Sequence, residues 1–179
     1  MVELRQAFLN HRHGEIKLVG VSLRVFFNPT APFYQAIATI ASIGQNNPDV
    51  SIKALLSHPK SPEVVNRAAI ETPDKGATLT EKEIALTAAN IDNLRRQFSG
   101  SSIEYGYYKE APYCTLVVFP DKCFFSLNLL SKVVPVRLPM IVFRSGSHGY
   151  TVLDEYFKYL WRGRMTLEDN QPNLKSNGK

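Results

Sequence analysis

Long apolar runs, metal-ligand spacings and nucleotide-loop motifs are all missing from this 179-residue chain. No stretch approaches the ~18 uninterrupted apolar residues of a membrane-spanning helix, so no membrane span is expected. The first residues, "MVELRQAFLNHRHGE", are charged and lack the apolar core of a signal peptide. Cysteine is scarce: Cys114 and Cys123 alone, both in apolar strand-like stretches and neither in CxxC spacing. Two reduced, buried thiols in a cytoplasmic protein are expected, without a disulfide across the intervening turn. The histidines are His11, His13, His58 and His148. His11 and His13, two apart, point to different sides of a helix, so no metal is expected, and no cofactor either. GxSxG, the P-loop and GxGxxG are absent, which removes the usual signatures of serine hydrolases and nucleotide-binding folds.

What is present is an ordinary globular composition, 44% hydrophobic and 21% charged, at a length that suits one domain. The 21 Lys and Arg outweigh 16 Asp and Glu, for a net charge of +5. That balance admits anionic partners such as a phosphorylated small molecule or nucleotide. It falls short of the clustered basic face of a dedicated nucleic-acid binder, so nucleic acid is the less favoured partner.

Periodicity sets the elements. Val2 to His13 reads as a short helix ended by Gly14. "EIKLVGVSLRVFF" and "DVSIKALLSHP" read as strands, and their continuous apolar character points to a parallel sheet buried on both faces. Between them, a helix opening near Pro32 places Phe33, Ile37, Ile40 and Ala41 on one side. Ser61 caps a helix with Pro62 at its first position. "TPDKGAT" is a loop, and Thr80 with Glu83 forms a capping box for a long helix carrying Ile84, Ala88, Ile91 and Phe98 inward. "SIEYGYYK", "YCTLVVF", "KCFFSLNLL" and "VPVRLPMIVFRS" are strands. The last helix repeats Leu153, Tyr156, Phe157, Leu160 and Trp161 at i, i+3, i+4, i+7, i+8. The order βαβαα, then strands and a final helix, predicts an α/β fold with a mixed β-sheet flanked by helices. Residues 1–164 form the single domain, and 165–179 are a polar, flexible tail.

Several stretches carry candidate chemistry. His58-x-Lys60 is half of an H-x-K-x-x-x-x-D phosphodiesterase motif, but Val65 stands where the aspartate belongs. Arg144, Ser145 and Ser147 lie between a strand and the last helix, where free N–H groups, hydroxyls and a cation can hold an anion. The competing reading is an ordinary serine cap. Arg67 and Glu71 are i, i+4 on one helix face and form either a solvated pair or, for Arg67, a reach toward a ligand. Tyr105, Tyr107, Tyr108 and Tyr113 read as sheet packing rather than a base-stacking platform.

"VGVSLRVFFNPTAPFYQAI", "IKALLSHPKSPEVVNRAAIE" and "RSGSHGYTVLDEYFKYLW" resemble bacterial domains of the phospholipase D-like superfamily, over about Ile16 to Trp161. Aligned on its H-x-K-x-x-x-x-D motif, the hairpin "APYCTLVVFPDKCFFSLN" keeps Asp121 and has Ser126 and Asn128 near the later polar positions. Cys114 and Leu116 stand in place of the histidine and lysine. The resemblance therefore implies a phospholipase D-like fold with a degenerate catalytic site. It implies a ligand-sensing or regulatory module for a phosphate-bearing anion, of the kind joined to bacterial signalling or defence proteins. Ser22, Arg24, His58, Lys60, Arg67, Arg144, Ser145 and Ser147 are the expected ligand-binding residues, and a homodimer is expected. The alternative is a divergent phosphodiesterase or nuclease using His58 or His148, with Asp121.

Overall fold

The computed structural model describes residues 2–71, 76–110, 114–127 and 140–166, and not the side chains of 67, 68, 71 and 76–78. Six strands form one sheet: β1 (Gly14–Gly20), β2 (Val50–Ser57), β3 (Ser102–Tyr108), β4 (Cys114–Val118), β5 (Lys122–Leu127) and β6 (Ile141–Arg144). The helices are α1 (Val2–Asn10), α2 (Arg24–Phe27), α3 (Tyr34–Gly44), α4 (Pro62–Glu71), α5 (Gly76–Gln97) and α6 (His148–Arg162). The spatial order is β3-β2-β1-β4-β5-β6. The first three strands run parallel, and β4, β5 and β6 add as an antiparallel meander. The fold is therefore α/β with a mixed sheet, as the element order predicts.

The layering follows from chain direction. The steps from β1 to β2 and from β2 to β3 move the same way across the sheet. Right-handed crossovers in one direction place both sets of connecting helices on one face. Ile16, Leu18, Ile52, Ala54, Val117 and Phe124 turn to that face and pack with residues of α1 to α5. The alternate residues Val19, Leu55, Leu116, Val118 and Cys123 turn to the other face, covered by Phe157 and Leu160 of α6. Burying two such side chains contributes about 1.5–3 kcal/mol each.

The α6 face also carries charge. Lys17 Nζ lies 2.5 Å from Asp154, and Lys53 Nζ lies 2.5 Å from Glu15. Lys158 joins Asp154 at 2.9 Å from the solvent side. The ammonium of Lys53 is 5.4 Å from the Trp161 ring centre, and the guanidinium of Arg164 is 4.2 Å from it. These long side chains lay their stems on the sheet and keep their charges paired under and beside α6.

Several local expectations change. The first predicted strand stops at Gly20, and Arg24 opens a helix instead of extending the strand. Leu23 takes a left-handed conformation, φ 49°, which turns the chain out of the sheet. Phe26 and Phe27 are then buried from a helical turn, and a short apolar run does not distinguish the two states. The long helix begins at Gly76, so Thr80 lies inside it and no capping box forms there. Met165 is not part of a loose tail: its N–H and carbonyl pair with Tyr107 at 2.8 and 3.0 Å. That bridge closes the carboxyl end of edge strand β3. Cys114 pairs in register with Leu127 and Cys123 with Val118, at opposite ends of the hairpin. Both cysteines are free and buried.

Candidate functional site at the carboxyl edge of the parallel strands

In open α/β sheets, ligands gather beyond the carboxyl ends of the parallel strands, where strand order reverses. Here that point is β1, flanked by parallel β2 on one side and antiparallel β4 on the other. A cleft of about 280 Å³ opens there, lined by residues 20–26, Glu83 and Thr115. Gly20 makes the local geometry feasible: a Cβ on it would lie 2.7 Å from Leu23 Cδ2. The left-handed Leu23 thus folds its side chain over a bare backbone and exposes the Ser22–Arg24 segment to the cleft. Arg24 donates from NH1 to Glu83 Oε1 at 2.6 Å, and Ser22 Oγ reaches Glu83 Oε2 at 3.5 Å.

The adjacent strand end carries His58. Its side chain is almost fully buried, 1% exposed. The backbone N–H of Lys60 donates to Nδ1 at 3.2 Å, which leaves the ring proton on Nε2. Burial, then the charges of Lys109 and Lys60, hold its pKa below the usual histidine value. The His58 N–H donates to the Tyr108 carbonyl at 2.8 Å, and Ser57 Oγ donates to Tyr108 Oη at 3.0 Å. Ser61 caps α4 as expected, accepting from Val64 N–H at 3.3 Å. Lys60 stands exposed above this knot.

The hairpin of β4 and β5 contributes Thr115 and Ser126, which oppose each other at the same edge. Cys114 and Leu116 turn to the α6 face and are buried. Burial pushes the Cys114 thiol up to about 11, so it is no nucleophile near neutral pH. Asp121 sits at the far end of the hairpin, in the turn where Phe119 N–H bonds the Lys122 carbonyl at 2.8 Å. It is exposed and lies 3.3 Å from Lys122 Nζ. Five residue steps separate Lys122 from Leu127, about 17 Å at ~3.4 Å each. Asp121 and Ser126 therefore belong to opposite edges of the sheet. Asn128 lies outside the described residues, as does Tyr113.

No family model and no curated protein matches the chain. Among solved structures it is similar to one described as "Structure of TrmBL2, an archaeal chromatin protein, shows a novel mode of DNA binding". The TM-score is 0.54 and the identity 13%, over 92% of this chain and 49% of that one. At that identity the likeness is one of fold. The chain spans about half the length of the protein it matches.

The expected ligand-binding residues thus divide between two edges. Ser22, Arg24, His58 and Lys60 share the carboxyl edge. Arg144 ends β6, in register with Lys122 at the amino edge, and Ser145 and Ser147 follow it. Ser147 is committed there as a helix cap: its hydroxyl donates to the Arg144 carbonyl at 2.7 Å and accepts from Tyr150 N–H at 3.3 Å. Ser145 N–H donates to the Asp121 carbonyl at 2.8 Å. His148 opens α6 at this same edge, exposed, so it does not join His58. The side chains of Arg67 and Glu71 lie outside the described residues. Among the described residues, no cluster of three metal-ligating side chains occurs and no helix is long and apolar enough to cross a membrane. Sequence reading missed Glu83 as a partner of Arg24, because its spacing from Thr80 imitates a capping box.

Proposed function

We propose that this domain is a regulatory module that binds a small phosphate-bearing anion at the carboxyl edge of its parallel strands. In this reading the fold is phospholipase D-like and catalytically degenerate. The observation that carries the proposal is the cleft at the end of β1, where the Ser22 hydroxyl and the Arg24 guanidinium meet beside Thr115. A guanidinium and a hydroxyl on one short turn are the donors that phosphate oxygens require. Lys60 and Lys109, on the neighbouring strand ends, add positive potential. Assembly as a homodimer, and a place in the cytoplasm, belong to the same proposal.

Two observations weigh against the phosphodiesterase alternative. The His58 lone pair at Nδ1 already accepts a backbone N–H, and a nucleophilic imidazole needs that pair. His148 and Asp121 stand at the other edge, out of reach of His58. No turnover of bis(p-nitrophenyl) phosphate is expected.

A thermal-shift panel of pyrophosphate, adenosine monophosphate and glycerol 3-phosphate tests the proposal. A rise in melting temperature with at least one compound is expected. It should vanish in Arg24→Ala and persist in Arg144→Ala, since Arg144 lies at the amino edge. A flat response across the panel would sink the reading. A second reading, backbone contacts to DNA, is favoured by the DNA-binding neighbour and the net charge of +5. It predicts salt-dependent binding of duplex DNA of any sequence.

A further inference from the structure

The cleft at the end of β1 already contains an anion: the carboxylate of Glu83. This acid does not belong to the strand edge. It comes from α5, on the helical layer above, and reaches down to Arg24 at 2.6 Å and Ser22 at 3.5 Å. One oxygen meets the guanidinium and the other approaches the hydroxyl, a two-point contact that a phosphate oxygen pair would reproduce. Glu83 is 27% exposed and Arg24 58% exposed, so the pair is held at the cleft mouth and not sealed in the core. Ion pairs in such positions are weak and exchangeable. The volume of about 280 Å³ is at the small end for ligand sites. It suits a phosphate or diphosphate group more than a whole nucleotide.

We propose that Glu83 is a built-in competitor for this site. The Glu83 carboxylate occupies Arg24 and Ser22 in the unliganded domain, and a phosphate or diphosphate group displaces it. Displacement removes one tie between α5 and the β1 turn, while Ile84, Ala88 and Ile91 stay packed in the core, so occupancy of the cleft is felt in the longest helix of the described chain. This inference rests on the regulatory reading above and adds the ligand's size class and the device that reports it.

Titration calorimetry with inorganic pyrophosphate tests it on the full chain. Glu83→Gln removes the competing charge and its repulsion of the ligand, and should tighten binding about fivefold or more over wild type. Arg24→Ala should abolish binding, and Arg24→Ala/Glu83→Gln should not recover it. In wild type, pyrophosphate should speed hydrogen exchange in α5 around Glu83. Glu83→Asp, with a shorter reach, gives a second variant, expected to tighten binding if the Gln variant folds poorly. If Glu83→Gln or Glu83→Asp binds no tighter than wild type while Arg24→Ala loses binding, the competitor role is wrong and the cleft still holds phosphate. If neither wild type nor the Glu83 variants bind pyrophosphate, the competitor role fails with the pyrophosphate site. The thermal-shift panel then decides separately whether a different phosphate ester occupies the cleft.

Discussion

Replacing Asp154 with alanine removes the carboxylate that joins α6 to the centre of the sheet. Asp154 holds Lys17 at 2.5 Å and Lys158 at 2.9 Å. The side chains of Asp154 and Lys17 are only 15% and 16% exposed. Breaking a fully buried pair destabilises by about 3–5 kcal/mol, because one charge stays behind unpaired. Exposed pairs contribute about 0.2–1 kcal/mol. This pair lies between, and Lys17 keeps Glu15 at 3.9 Å as a weaker partner. The expected loss is about 2 kcal/mol, a fall in melting temperature of about 4–8 °C for a chain of this size. Lys17→Met should cost less, since a methionine of similar length fills the space and Asp154 keeps Lys158 at 2.9 Å as a partner. In a double-mutant cycle by urea denaturation, the pair should couple by about 1–2 kcal/mol. The acid limb gives a second check. Burial alone would raise the Asp154 carboxyl, but hydrogen bonds from Lys17 and Lys158 outweigh it and leave it below its ordinary value of 3.8. Its contribution is therefore complete above pH 3.8 and is lost as the pH falls toward the folded value. A cost under ~0.5 kcal/mol for Asp154→Ala, or strict additivity in the cycle, would refute the reasoning.

Other predictions are simpler. Gly149→Ala should raise intrinsic helix propensity by about 1 kcal/mol yet destabilise the fold. The new Cβ would enter the Phe143 ring, so a higher melting temperature would show that α6 does not pack as described. His11 has its pKa lowered, chiefly by burial and against the Gly14 carbonyl contact, and His58 is lowered by burial, Lys109 and Lys60. Unfolded histidines take up protons near pH 6.5, so stability should be full above that pH and decline below it until the folded values are reached. Melting curves from pH 8 to 5 should show this decline, and His11→Asn should flatten it. Cys114 and Cys123 have thiols pushed up to about 11 by burial, so a thiol reagent at pH 7.5 should label them only on unfolding. Fast native-state labelling would contradict their placement. Ser61→Ala removes the cap on Val64 N–H and should cost about 1 kcal/mol by thermal denaturation.

The helical faces and the two-sided burial of the first strands were legible in the sequence because hydrophobic period reports burial directly. The stripe Leu153, Phe157, Leu160 of α6 and the apolar residues within β1 and β2 carry that signal. The failures lie where a local pattern has two physical solutions. "RVFF" is equally apolar as strand or helix, and the left-handed turn at Leu23 decides between them. Thr80-x-x-Glu83 reads as a cap, but tertiary contact with Arg24 claims the glutamate. The site was half legible. Strand ends announced Ser22, His58 and Lys60, whereas the amino-edge position of Arg144 depends on an antiparallel meander whose register no single segment encodes. The hairpin with Asp121 behaves likewise. Its polar residues look like one constellation along the chain and fall at two ends once the strands pair.

Trp161 is the sole tryptophan of the sequence, and it stacks on Phe157 at 5.6 Å within the α6 face. Two cations border its ring. The indole therefore emits from the junction of the last helix with the sheet and stands on the opposite face from the β1 cleft. Fluorescence follows the seating of α6 and is silent to events at Arg24. A titration that moves the emission and one that leaves it still would mark two separable regions of the same small sheet.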